Sequence, residues 1–205
     1  MLSAKNLACT RGDRPLFTQI NFNLRASELL YVLGENGSGK SSLLRILCGL
    51  SPPEHGSVIW NGEDIRHHAD TYRADLLYIG HLNALKDDLS ASENLRISSC
   101  VAGHDGGADQ VRAALHAVGL AHCADMPVRN LSQGQKRRAV LASLWLSQSR
   151  LWILDEPFSA LDTAAIDLMV CRIGEHLSSG GMAVLTTHQE VAIPAAAIQE
   201  LRLTQ

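Results

Sequence analysis

The run Gly34-Glu35-Asn36-Gly37-Ser38-Gly39-Lys40-Ser41 fits the pattern G-x-x-x-x-G-K-[S/T] at every fixed position. Its glycines let successive backbone N–H groups turn toward a polyphosphate with no side chain in the way. Lys40 supplies a point charge for the β- and γ-phosphates, and Ser41 offers a hydroxyl to Mg²⁺. Ser42 follows at the head of a helical pattern, so the positive end of a helix also faces the anion. A second run, Leu151-Trp152-Ile153-Leu154-Asp155-Glu156-Pro157, delivers two carboxylates at the end of an apolar strand. Asp155 would hold Mg²⁺ through its water shell, and Glu156 would polarise a water attacking the γ-phosphate. Adjacent acids alone usually mark a solvated strand end. The apolar strand before them and the phosphate loop upstream reverse that reading here. Pro157 ends the strand abruptly.

A third run, Leu131-Ser132-Gln133-Gly134-Gln135, opens a helix. Ser132 and Gln135 have the spacing of a capping box, which any helix can use. The same exposed amides, hydroxyl and positive helix end also suit a γ-phosphate. Lys40 already serves that role within the chain, so the target is the ATP of a second subunit.

These residues need elements to hold them. Leu29–Leu33 reads as a buried strand before the phosphate loop, and Ser42–Leu47 as the helix after it. Val58-Ile59-Trp60 runs into Asn61-Gly62, a hairpin turn. Leu76–Ile79, Leu151–Leu154 and Met182–Thr186 read as further core strands. Alternation of strands and helical patterns predicts an α/β fold with a largely parallel sheet. Between about residues 86 and 148 strands vanish and alanine and leucine dominate; Ser92–Val101, Ala108–Val118 and Gln133–Ser147 are predicted helices. This stretch reads as a helical subdomain inserted in one domain spanning 1–205, with no repeat or long linker.

Composition narrows the class. The chain has 205 residues, 46% hydrophobic and 19% charged, with a net charge of −3. Nucleic-acid binding as a main role normally brings a basic excess, so it is not expected. Five dispersed cysteines (Cys9, Cys48, Cys100, Cys123, Cys171) lack any CxxC pair and read as reduced, partly buried thiols. The N-terminus lacks the apolar run of a signal peptide. No segment reaches the roughly 20 apolar residues a membrane helix needs. Membrane attachment is therefore expected only through partners.

Taken in order, the motifs resemble the nucleotide-binding domain of ATP-binding cassette proteins over about residues 2 to 203. The order is phosphate loop, helical insertion, LSxGQ signature, Asp-Glu strand, Ser159-Ala160-Leu161-Asp162, then Thr186-Thr187-His188. The resemblance implies a P-loop NTPase fold with ATP and Mg²⁺ as ligands. It implies that Ser159 to Asp162 link two active sites across a homodimer, and that His188 contacts the γ-phosphate and the catalytic water. Three positions depart from the family pattern. His81 stands where a glutamine is expected, twelve residues before Glu93, and can reach Mg²⁺ or the attacking water through a ring nitrogen. Arg11 aligns near the aromatic that stacks on adenine; it either stacks through its planar guanidinium or is simply exposed. Gln133 replaces the usual small residue of the signature.

Ile79-Gly80-His81, Leu85-Lys86, Arg137-Arg138, Leu144-Trp145-Leu146-Ser147 and the stretch from Leu151 to Phe158 are similar to the ATP-binding subunits of the cytochrome c maturation system, the haem exporter family. That resemblance implies integral-membrane permease partners, with the apolar residues around Leu82 to Leu89 as candidates for the contact. It also implies a peripheral place on the cytoplasmic face of the bacterial inner membrane. Two other classes compete. A soluble cassette ATPase acting on DNA or ribosomes would bring coiled-coil insertions or tandem cassettes, which are missing. A small-molecule kinase would leave Leu131 to Gln135 and His188 unexplained.

Overall fold

The computed structural model describes residues 1–103, 106–188, 191–194 and 197–203. Strands β1 (Leu2–Arg11) and β2 (Arg14–Leu24) form a long antiparallel hairpin. Then come β3 (Glu28–Leu33), α1 (Lys40–Leu47), β4 (His55–Trp60), β5 (Glu63–Asp64), α2 (Ala69–Ala74) and β6 (Leu76–Ile79). The insertion carries α3 (Ala91–Val101), α4 (Ala108–Ala117), α5 (Gln133–Leu141) and α6 (Ser143–Leu146). The chain returns through β7 (Leu151–Asp155), α7 (Thr163–Ser178), β8 (Met182–Thr186) and β9 (Ala197–Arg202). No helix among the described residues is long and apolar enough to cross a membrane.

The strands form two sheets. One is four-stranded and antiparallel, in the order β2-β1-β4-β5. The other is five-stranded and parallel, in the order β6-β7-β8-β3-β9. A sheet covered on both faces demands apolar residues at every strand position. β3 and β7 show why their runs are unbroken. Leu30, Val32, Leu151 and Ile153 enter one core with α1 and the antiparallel sheet. Leu29, Tyr31, Trp152 and Leu154 enter the other with the helical insertion and α7. β3, which leads into the phosphate loop, and β7 are thus held between two cores.

The α/β class, the five sequence-read strands and one helix of the core, and the hairpin turn at Asn61-Gly62 all appear, the last with φ of 51° and 95°. Strands β1, β2, β5 and β9 and helices α2 and α7 are additions. One predicted helix is broken: Gln133–Ser147 is α5 and α6 with a bend at Ala142. The Ser143 hydroxyl donates to the Val140 carbonyl at 2.7 Å, a back-bond that bends helices. Of the five cysteines, Cys48 and Cys123 are buried, Cys9 is half-buried, and Cys100 and Cys171 are exposed, so two thiols are more open than the partly buried set expected.

Behind β7 lies a ring cluster. The Trp152 indole stacks on the His176 imidazole at 3.8 Å between centroids and 3° between planes. The Arg172 guanidinium sits 5.3 Å from the Trp152 ring and donates to the Leu144 carbonyl at 2.8 Å. Burial pulls His176 down to about 4. Its Nε2 lies 3.2 Å from the Met182 carbonyl.

Candidate functional site

β3 ends at Leu33 and the loop turns at once. Gly34 (φ 152°), Gly37 (83°) and Gly39 (102°) take left-handed backbone that side chains resist. A Cβ on Gly34 would stand 2.6 Å from Ser38 Oγ and 2.9 Å from the Leu203 carbonyl. One on Gly39 would stand 3.0 Å from Leu16 Cβ and 3.1 Å from the Phe17 ring. Leu16 and Phe17 of β2 therefore press the hairpin onto the loop, a buttress that sequence reading missed. Glu35, Asn36, Gly37 and Ser41 are exposed, and Ser42 is half-buried.

The loop is preformed for an anion. Gly39 caps α1 with no side-chain hydrogen bond, so the first amides of the helix keep their donors for a ligand. Lys40 is buried, and its Nζ donates to the loop's own carbonyls, Gly34 at 2.7 Å and Glu35 at 3.0 Å. Ser38 Oγ is buried with no hydrogen-bond partner among the described residues. An orphaned hydroxyl, bare helix amides and a lysine held in the loop together fit a triphosphate.

β7 delivers Asp155 and Glu156 as the sequence predicts. Asp155 is 2% exposed, and its Oδ1 accepts the Thr186 hydroxyl at 2.6 Å. The Glu156 amide donates to the same Thr186 oxygen at 2.9 Å. Thr186 at the end of β8 thus joins the two acids. Glu156 sits at φ 48°, a costly conformation for a side-chain residue. Its Oε1 lies 3.1 Å from His188 Nε2 and its Oε2 lies 3.7 Å from His81 Nδ1. Three residues far apart in the sequence are therefore gathered, with one carboxylate between two imidazoles.

The signature tip is built differently. Ser132 Oγ accepts the Gln135 amide at 3.2 Å, and Gln135 Oε1 accepts the Ser132 amide at 2.8 Å. The capping box is real, and Ser132 and Gln133 are exposed beside it while Leu131 is buried. A Cβ on Gly134 would stand 3.0 Å from the Ala160 carbonyl, so the tip rests on the Ser159–Asp162 segment. Asp162 caps α7, accepting the Ala165 amide at 2.8 Å. Ala160 has φ 60°. Ser159 and Leu161 are half-buried. Arg11 is exposed at the end of β1, opposite Arg14 in the hairpin.

Arg137, noted in the sequence only as half of a basic pair, is 2% exposed. Burial lowers its pKa, while Asp155 and Glu156 pull it back up. Beside it an apolar groove of about 310 Å³ opens between β6, its following loop and the helical insertion. Tyr78, Leu82, Leu85, Leu95, Val101 and Leu146 are among its lining residues. Leu82 is 81% exposed and Val101 84%. Leu85 and Leu89 are half-buried, so of the apolar loop expected between Leu82 and Leu89 only Leu82 and Ala84 stand fully open.

The family model for ABC transporters matches residues 17–159. The cytochrome c biogenesis ATP-binding export protein CcmA of Dechloromonas aromatica (strain RCB) is 52% identical over 203 residues, covering 99% of this chain and 100% of that protein. The protein of the same description in Escherichia coli (strain K12) is 43% identical over 205 residues, covering 100% and 97%. Among solved structures, an ATP-binding cassette seen as a dimer in a post-hydrolysis state, bound to ADP and Pi, superposes with a TM-score of 0.85. It is 21% identical and covers 100% of this chain and 97% of its own, which shows the fold.

Proposed function

We propose a mechanism from one premise: this chain belongs to the ABC transporter family, in its branch of cytochrome c biogenesis ATP-binding export proteins. It is the ATPase of such an exporter. ATP lies along the phosphate loop of one subunit and meets the Ser132–Gln135 tip of a second copy. Two chains so close around two nucleotides. The single observation that carries the reading is the Glu156 carboxylate, held by separate oxygens between His81 and His188 at the end of β7.

Within each closed site the amides of Gly37 to Ser42 and the Lys40 ammonium bind the phosphates. Lys40 exchanges its bonds to Gly34 and Glu35 for phosphate oxygens. Glu156 takes the proton of the attacking water, and His188 and His81 orient that water and the γ-phosphate. Ser41, exposed on α1, and Asp155, one of whose oxygens lies outside the Thr186 bond, are hard oxygen donors suited to Mg²⁺, with Asp155 acting through water. Bound there, Mg²⁺ would neutralise charge on the β- and γ-phosphates. Ser159 to Asp162 pass the state of one site to the other, because Ala160 touches the signature tip of its own chain.

Integral-membrane permease subunits dock in the groove beside Leu82 and Val101, and closure of the dimer moves them. The work done is haem export or release of a loaded haem chaperone, at the cytoplasmic face of the inner membrane. Glu156→Gln tests the chemistry. It is expected to keep ATP affinity within about threefold, lower kcat by roughly a hundredfold or more, and shift the protein to a dimer on size-exclusion with ATP and Mg²⁺. Unchanged hydrolysis would remove Glu156 from its role. Fractionation of cells with and without the permease genes tests the setting: membrane association should vanish with them, and co-sedimentation with ribosomes or DNA would oppose the reading.

A further inference from the structure

We propose that Arg137 is a positioning residue for hydrolysis: one guanidinium on the signature helix fixes both flanks of the Glu156 site. The inference rests on the reading of Glu156 given above. Three consecutive carbonyls converge on the side chain. Nη2 donates to Asp155 O at 3.0 Å and Glu156 O at 2.8 Å, and Nε donates to Pro157 O at 3.4 Å. Nη1 reaches across to the loop after β6, donating to Gly80 O at 3.0 Å and Asn83 Oδ1 at 3.4 Å. That loop carries His81.

Burying a guanidinium is expensive, and among the described residues its hydrogen bonds go to neutral carbonyl and amide oxygens rather than to a carboxylate. The planar fork is what recovers the cost, since five N–H groups in fixed directions can serve two backbone segments at once. Its most demanding client is Glu156, whose φ of 48° persists only where surroundings over-determine it. An apolar residue at this place would withdraw a donor from each of these carbonyls. The bonds instead set the spacing between Glu156 and His81 from a point outside both.

The location adds a consequence. Arg137 lies on α5, whose first turn is the Ser132–Gln135 tip. Gly80 and Asn83 also line the apolar groove. Motion of the helix tip as it meets a partner's nucleotide, or motion of the loop as the groove is filled, is therefore delivered to the Glu156 backbone through one side chain. A displacement of about 1 Å at a reacting group can cost a hundredfold in rate.

The test uses full-length Arg137→Lys, which keeps charge and length but loses the fork. Its kcat should fall roughly tenfold to a hundredfold, with KM for ATP and the number of ATP sites per chain unchanged. Amides of residues 80–83 and 155–159 should exchange hydrogen faster while those of α5 stay protected. In a Glu156→Gln background the same change should lower the residual rate by less than about twofold, because the positioned group is already gone. A normal kcat, a loss of ATP sites in proportion to kcat, or a full multiplicative loss in the double variant would each overturn the role. If Arg137→Lys does not fold, Arg137→Gln, which keeps two donors, is measured in the same way. Should Glu156→Gln itself hydrolyse ATP normally, the reading of Glu156 fails; should it block hydrolysis while Arg137→Lys does not, only the present inference fails.

Discussion

Helices α1 and α5 are both proposed to aim an N-terminus at a polyphosphate, and they are finished in opposite ways. α1 begins at Gly39, with no side chain on its amides and with Leu16 and Phe17 packed where one would go. α5 begins at Ser132 and closes its own end through the Ser132–Gln135 box. An uncapped helix end leaves donors that a ligand must satisfy. A capped end is stable before any ligand arrives. The first is suited to be a permanent seat within the chain. The second is suited to wait in solvent for a phosphate brought by another copy.

Swapping the two finishes breaks the comparison. Gly39→Ser gives α1 a capping residue, at φ 102° and against Leu16 and Phe17. ATP affinity is expected to fall roughly a hundredfold, a loss of about 2.7 kcal/mol, by titration calorimetry on the single subunit. Affinity within threefold of the parent would mean that the bare end is dispensable. Ser132→Ala strips the cap from α5 and should lower unfolding free energy by about 1 kcal/mol in urea melts. ATP binding to one subunit should not change, while the concentration-dependent part of hydrolysis should drop. Equal loss of binding in both variants would erase the distinction drawn between the two ends.

Much of the site was legible in the sequence because it is local. The phosphate loop, the β7 run and the signature each declare themselves within about ten residues. Strands buried on both faces betray themselves by unbroken apolar runs. β1 hides by contrast: its bulges and Asn6 at φ 50° break the period of two that a half-buried strand should show. The Ser143 back-bond that bends Gln133–Ser147 is a choice of rotamer, invisible in composition. Arg137 was the costliest omission. Beside Arg138 and Lys136 it looks like a solvated face, and only the fold shows that one member of the run points inward. Apart from Asn83 Oδ1, its partners are backbone carbonyls, which carry no sequence signal at all. The meeting of His81, Glu156 and His188 was partly anticipated through family likeness, but the distances that make it a cluster arise from three strand ends brought side by side.

The Trp152–His176 stack carries its own consequence for acid tolerance. An imidazole held near 4 by burial, against 6.5 when unfolded, leaves the unfolded chain to take up the proton first. The contribution is whole above about pH 6.5 and drains as pH falls toward 4, by on the order of 3 kcal/mol. Urea midpoints at pH 7.5 and pH 5 should therefore differ, and His176→Leu should narrow the gap. The strand bearing the two acids leans on a ring that must stay uncharged, so acidification would loosen the motor from its dry side.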